Sequence, residues 1–299
     1  MAKHPLYGLG LAAFGALILT PDTLLMRWSG MDGFSMLAWR GLLMGTLLVT
    51  VWLFTARKSL KSALPALFTP LAAGIVLSHG ANAAFFSLGI AVAPVAIVLF
   101  GVATMPVFAA IFSRMIAKET TSRGTWIATA AVMAGIALAV FGDGGMGLGL
   151  NLASLYGALA GLAVAATLAL GFTLIRRSPE LPILPLIGSG AFLAGLIGLA
   201  AAPEGGVLSG NLAAIAITGA VILPVSFLAL THASRHTHAA NVSLLMLLET
   251  VLGPAWVWAG TGEAMTPVMI AGGGIVVGSL AIYILVTARQ RRAGRARAA

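Results

Sequence analysis

The 299-residue chain contains no cysteine, which excludes disulfide frameworks, thiolate metal sites and thiol nucleophiles. Charge is almost as scarce. Asp, Glu, Lys and Arg make up 8% of the residues, against roughly a quarter in an ordinary soluble domain. A chain so poor in charge cannot clothe a water-facing surface. What stands in its place is apolar: 60% of the residues are hydrophobic and the mean hydropathy is +1.03. The apolar residues come in long continuous runs rather than in the short alternating strands of a membrane β-barrel. Such runs predict helices, which satisfy their own backbone hydrogen bonds in lipid. The expected fold class is an all-α polytopic membrane protein.

Cutting the apolar runs at charged, Pro and Gly-rich breaks gives ten spans, at residues 7–26, 34–54, 67–91, 95–113, 125–141, 152–175, 183–201, 212–231, 239–258 and 268–287. The N-terminal stretch resembles a signal sequence, with Lys3 ahead of an apolar run. That run continues into Thr20-Pro21-Asp22, so it reads as the first span. With ten spans, fifteen of the 17 basic residues fall on one side of the membrane. Only Arg27, at the opposite surface, and Arg40, inside the second span, stand apart. The positive-inside rule then puts both termini in the cytoplasm. This placement also accounts for the net charge of +9 without a nucleic-acid partner.

The chain is built twice from one unit. Glu119 and Glu263 stand 144 positions apart, each followed by another apolar helix, and Phe112 matches Trp256 at the same offset. Leu6-Tyr7-Gly8 returns as Leu155-Tyr156-Gly157, and Arg27 returns as Arg176. The predicted domains are two five-helix repeats, residues 1–146 and 147–288, and a basic cytoplasmic tail, residues 289–299. Five is odd, so the repeats must enter the membrane from opposite sides. Inverted repeats are a common construction of secondary transporters, with substrate near the midplane between the halves. Residues 142–151, rich in glycine, read as an external hinge between them.

Each half closes with Pro or its replacement, an apolar stretch, Glu and a Gly-containing helix. This pattern resembles the drug/metabolite transporter superfamily in its EamA-type branch. Pro106-Val107-Phe108 through Glu119 is close to the half-repeat signature of that branch. Leu248-Glu249-Thr250-Val251-Leu252-Gly253-Pro254 departs from it, with Thr250 in the usual proline position. The same segment resembles the YddG-type exporters of aromatic and other amino acids. The resemblance implies a ten-helix basket in the bacterial inner membrane, a central cavity, and export of amino acids and sometimes of organic cations. It implies no cofactor and no metal.

The residues themselves mark a site. Glu249 is the one charge between Asn241 and Ala259, near mid-bilayer, where a carboxylate costs roughly 2.5 to 3.5 kcal/mol on insertion scales. It must face a wet cavity, hold a partner or carry a proton. Its helical face includes Gly253 and Trp256, with Asn241 toward one edge. The third span offers Ser78, His79, Asn82 and Phe86 on about one side, a set suited to an amino acid's charged ends and side chain. His79 is either a cavity residue, which can titrate near neutral pH, or an interhelical hydrogen-bond donor. Asp22 and Arg40 lie at similar depth and predict an ion pair, as structure or as a gate beside a kink at Pro21. Arg40 and Trp39 are alternatively contacts for a substrate carboxylate. Phe100, Thr104 and Phe108 line either the cavity or a packing seam. Trp28, Trp52, Trp126 and Trp258 are expected in the interfacial belts.

The partners expected are therefore a small-molecule substrate, amino acids above all, together with membrane lipid and, in one reading, protons. An intramembrane hydrolase is the rival from another class. Gly188-Ser189-Gly190 resembles the serine motif of intramembrane proteases, with His232 as the base. Leu186 stands where that motif needs glycine, and no His-Glu-x-x-His or nucleotide-phosphate loop occurs.

Overall fold

The computed structural model describes residues 6–56, 60–117, 123–141, 151–178, 180–236 and 239–298. Several predicted features lie outside them: Lys3, Glu119 and residues 142–150 of the glycine-rich hinge. The side chains of Asn241 and Trp126 are likewise outside the described ones.

Every regular element among the described residues is helical. In order they are α1 (Leu6–Leu19), α2 (Asp22–Ser29), α3 (Gly33–Thr55), α4 (Leu60–Leu67), α5 (Pro70–Val92), α6 (Val95–Val102), α7 (Met105–Ala117), α8 (Arg123–Phe141), α9 (Leu152–Arg177), α10 (Ile183–Ala201), α11 (Leu212–Ile217), α12 (Leu223–His236), α13 (Ala239–Thr261) and α14 (Pro267–Ala298). Seven helical segments among the described residues are long and apolar enough to cross a bilayer. Two shorter apolar stretches, Ala130–Ala139 and Pro267–Tyr283, fall within two further predicted spans. The remaining one corresponds to α13, which is 23 residues long.

Proline decides where the helices break. Pro21 has no N–H for the carbonyl of Leu17, and that oxygen instead takes Thr20 Oγ1 at 2.9 Å. The first predicted span thereby splits into α1 and α2. Pro106 likewise has no N–H for the carbonyl of Val102, and the fourth span breaks at Ala103–Thr104, where Thr104 Oγ1 donates to Gly101 O at 2.7 Å. The eighth contains a turn of π-helix, Thr218–Ile222. Pro224 cannot donate to the carbonyl of Ala220, and Leu223 N–H bonds five residues back to Thr218 O. Two further differences from the sequence reading are the helix α4, on a stretch expected as loop, and the continuation of α14 through Ala298 into the expected tail.

The closest helix pairs join the two halves of the chain: α3 with α10, α5 with α9, α8 with α14 and α1 with α12. Small residues make these contacts possible, as they do wherever apolar helices pack without a hydrophobic driving force between them. A Cβ on Gly41 would lie 2.5 Å from Ala191 O, and one on Gly45 would lie 2.6 Å from Phe192. Backbone therefore meets backbone along α3 and α10. The Phe100 ring packs against Gly273 in a second apolar cluster, and Phe108 stacks on Phe112, so this stripe is a packing seam. Trp52, expected at the interface, is buried instead.

Candidate functional site: a polar cavity inside the helix bundle

Asp22 opens α2 because Pro21 ends the helix before it, and its carboxylate turns inward at the break. Arg40, one-third of the way along α3, meets it there. A single nitrogen, Arg40 Nη1, donates to both carboxylate oxygens, at 2.7 and 2.8 Å. The guanidinium also lies over the Phe86 ring, 5.6 Å from its centroid, a cation–π contact that strengthens when desolvated. Gly219, in the π turn, lets the eighth segment press against Arg40 and Trp39; a Cβ there would lie 3.1 Å from Arg40 Cα.

His79 and Asn82 come from α5, one turn apart and on one face. Both are buried, at 6% and 8% exposure. The His79 ring sits where two glycines make room. A Cβ on Gly171 of α9 would lie 3.0 Å from His79 Cε1, and one on Gly190 of α10 would lie 2.5 Å from Val76 O. Gly190 belongs to the Gly188-Ser189-Gly190 sequence, and its role here is to admit α5, while Ser189 faces outward and is exposed. His79 Nδ1 is 3.1 Å from Ile75 O, and its ring meets Phe227 edge-on with centroids 6.1 Å apart. His79 Nε2 and Asn82 Nδ2 have no hydrogen-bond partner among the described residues. A buried polar atom left unbonded is costly and calls for an explanation.

These groups line one cavity of about 60 Å³, with Glu249 of α13 on its wall and Met44, Phe227 and Met246 among the apolar residues around them. Glu249 is 4% exposed and makes no hydrogen bond among the described residues. With Asp22 and Arg40 cancelling, Glu249 is the unmatched carboxyl group among the described residues of the cavity.

The structure thus brings Glu249, His79, Asn82, Phe86, Asp22 and Arg40 together. Four other predicted residues stand apart from the lining. Ser78 Oγ donates to Ile75 O at 2.9 Å, within its own helix. Trp39 Nε1 donates to Val207 O at 2.7 Å, tying α3 to the α10–α11 loop. Trp256 Nε1 donates to Thr20 Oγ1 at 3.2 Å from a side chain that is half exposed. Pro21 acts through the break it makes rather than from the lining. Asn241 lies on α13 with its side chain outside the described ones. Gly171, Gly219 and the methionines went unnoticed in the sequence, and Gly190 was noticed only as part of the serine-motif resemblance; Pro224 was the available signal for the π turn.

A bundle of apolar spans around a buried cavity lined with charged and polar groups defines a multi-pass membrane protein with an interior site. Residues 6–141, somewhat under half of the chain, match the EamA-like transporter family, a family of membrane transporters in the drug/metabolite transporter superfamily. One solved structure, titled only as the crystal structure of a protein, is similar in fold, with a TM-score of 0.63 and 18% sequence identity. That likeness covers 94% of this chain and 97% of the other, so it extends beyond the family match into the second half. No curated protein matches the chain.

Proposed function

We propose that this transporter exports amino acids, aromatic and other neutral ones, across the bacterial inner membrane by alternating access. In this reading ten helices form two inverted five-helix repeats, both termini are cytoplasmic, and the cavity is the substrate site at the midplane. The observation that carries it is the meeting of Asp22, Arg40, His79 and Asn82 with Glu249, first-half and second-half residues, in one buried cavity. Ionisable groups inside a membrane are expensive, and a transport pathway is the usual reason for keeping them. Asp22 and Arg40 hold the outer part of the site in one geometry, and Glu249 faces the substrate. Ser78, Trp39, Trp256 and Asn241 support the walls of the cavity or meet substrate in the opposite access state.

Export of organic cations is the second reading. Glu249 without a partner beside Phe86 and Phe227 favours it, because a carboxylate and aromatic faces together suit a cation. The deciding experiment is counterflow in proteoliposomes with a panel of amino acids and organic cations, with and without a pH gradient. Competition by amino acids and not by cations supports the first reading, and the reverse supports the second. The gradient arm separates proton exchange from facilitated diffusion. Glu249→Gln should abolish or uncouple transport; unchanged affinity together with an unchanged gradient response removes Glu249 from the mechanism.

A further inference from the structure

The eight residues of α2, Asp22–Ser29, are cut from α1 by the Pro21 break. The inner end carries Asp22, part of the cavity wall. Arg27 stands five residues on, roughly 7.5 Å further along the axis, at the face opposite the expected cytoplasmic one. Three contacts there join α2 to segments of the second half. Arg27 Nε lies 2.9 Å from Glu263 Oε2. Trp28 Nε1 donates to Gly260 O at 3.1 Å, and Asn211 N–H donates to Ser29 O at 2.8 Å.

The ion pair also sits on two helix ends of opposite sign. Ala93 closes α5, where unpaired carbonyls leave partial negative charge, and Arg27 Nη2 donates to Ala93 O at 2.7 Å. Val95 opens α6, where free N–H groups leave partial positive charge, and its N–H donates to Glu263 Oε1 at 2.9 Å. All eight residues of α6 are buried, so the junction is a fixed seat. Glu263 comes instead from a short non-helical segment, residues 262–266, which begins at Gly262 with φ +76°. Beside it a void of about 10 Å³ has room for on the order of one water. Charge and one N–H hold Glu263 more than packing does.

We infer that α2 is the outer gate of the transport path and that Arg27 is its latch residue, fastening α2 to Glu263 whenever the cavity is shut toward that face. The inference rests on the alternating access proposed above and assigns the element that moves. Both ends of α2 can bend. Pro21 leaves no backbone hydrogen bond to the turn before it, and Gly30 follows at φ +64° with open space around it. Asp22, next to the Pro21 pivot, moves least, so the inner ion pair persists while the outer end of α2 swings. A gate opened in every cycle needs a fastening that is specific yet weak. The partly exposed Arg27–Glu263 pair, 23% and 32% accessible, meets both needs, since such a pair weights shut over open by only about five-fold.

The test exploits the absence of cysteine from the chain. Ala83 lines the cavity, and Ala83→Cys gives the full-length protein a single thiol there. Its labelling in intact cells by a membrane-impermeant maleimide, each variant normalised to its own denatured protein, reads outward opening without any substrate. Glu263→Gln and Arg27→Gln should each raise the labelling rate about five-fold. Asp32→Ala, which removes bonds that stay within the first half on the same face, should leave the rate unchanged. A rate that stays level or falls in the Arg27 and Glu263 variants overturns the latch. An equal rise with Asp32→Ala marks general loosening and overturns it as well.

A cross-link supplies the opposite arm. A Cβ on Gly260 would press on Leu24, so oxidation of Leu24→Cys with Gly260→Cys ties α2 to α13. Counterflow of radiolabelled L-phenylalanine in proteoliposomes should stop on oxidation and return with dithiothreitol; undiminished counterflow by the cross-linked protein overturns the moving gate while transport stands. If L-phenylalanine drives no counterflow in the unmodified protein, the proposed substrate fails, and the labelling arm still decides the latch.

Discussion

Among the described residues two ion pairs join separate helices or loops, and they do different work. Asp22–Arg40 is sealed inside the bundle, with side chains 0% and 6% exposed, whereas Arg27–Glu263 sits at its edge, at 32% or less. Both have contacts near 2.7 to 2.9 Å, so distance alone does not separate them. Surroundings do. The edge pair is shared with backbone: Arg27 Nη2 donates to Ala93 O at 2.7 Å, and Val95 N–H donates to Glu263 Oε1 at 2.9 Å. It stitches the end of α2 to the α5–α6 junction and to the loop after α13. Water can replace either partner there. Inside, nothing replaces Asp22 except a ligand or the cost of a bare guanidinium.

That contrast orders the expected effects of breaking it. Asp22→Asn leaves Arg40 buried and unpaired and should cost about 3 to 5 kcal/mol, measured by unfolding in detergent. Adding Arg40→Met should recover most of that stability while transport stays lost, because an apolar pair of similar volume can replace a buried ion pair. Full stability of the single Asp22→Asn variant would show that the pair is not the buried device described here. Next comes Gly190→Ala. Its Cβ would press on Val76 O, and overpacking of this kind costs about 1 to 3 kcal/mol; transport should fall with it as His79 is displaced.

The edge pair is worth less. Glu263→Gln should change stability by about 1 kcal/mol or less, and the change should shrink in high salt. A salt-independent loss larger than that would place Arg27–Glu263 energetically with the inner pair. The smallest expected effect is at Asp32, which caps α3 by accepting from Phe34 N–H and Ser35 N–H. Burial is the largest single influence and raises its pKa, but the hydrogen bonds from Ser35 and Phe34 together outweigh it and hold the carboxyl below its ordinary 3.8. A lowered carboxylate pKa stabilises the fold above the unfolded value and loses that contribution as pH falls through the lowered one. The cap should therefore be intact at neutral pH and weaken only below about pH 4. Asp32→Ala should erase that acid-side slope.

How much of this the sequence disclosed depended on the kind of residue. Charged and polar residues in apolar runs announce themselves, and Asp22, Arg40, His79, Asn82 and Glu249 were all legible for that reason. Apolar lining is not legible, since a methionine facing a cavity and one facing lipid look alike in a span. Trp39 and Trp256 were picked out because an indole beside a charge suits a substrate site; here their N–H groups donate to Val207 O and Thr20 Oγ1. Arg27 and Glu263 lie 236 positions apart, too far for any local pattern to join. The breaks at Pro21 and Pro106 followed the rule for proline, although only the first was anticipated as a kink.

The pairing of α1 with α12, α3 with α10, α5 with α9 and α8 with α14 means that neither half owns its packing partners. Severed between α8 and α9, each fragment would present bare glycine-lined faces with no complement of its own. Such fragments should mature only when synthesised side by side.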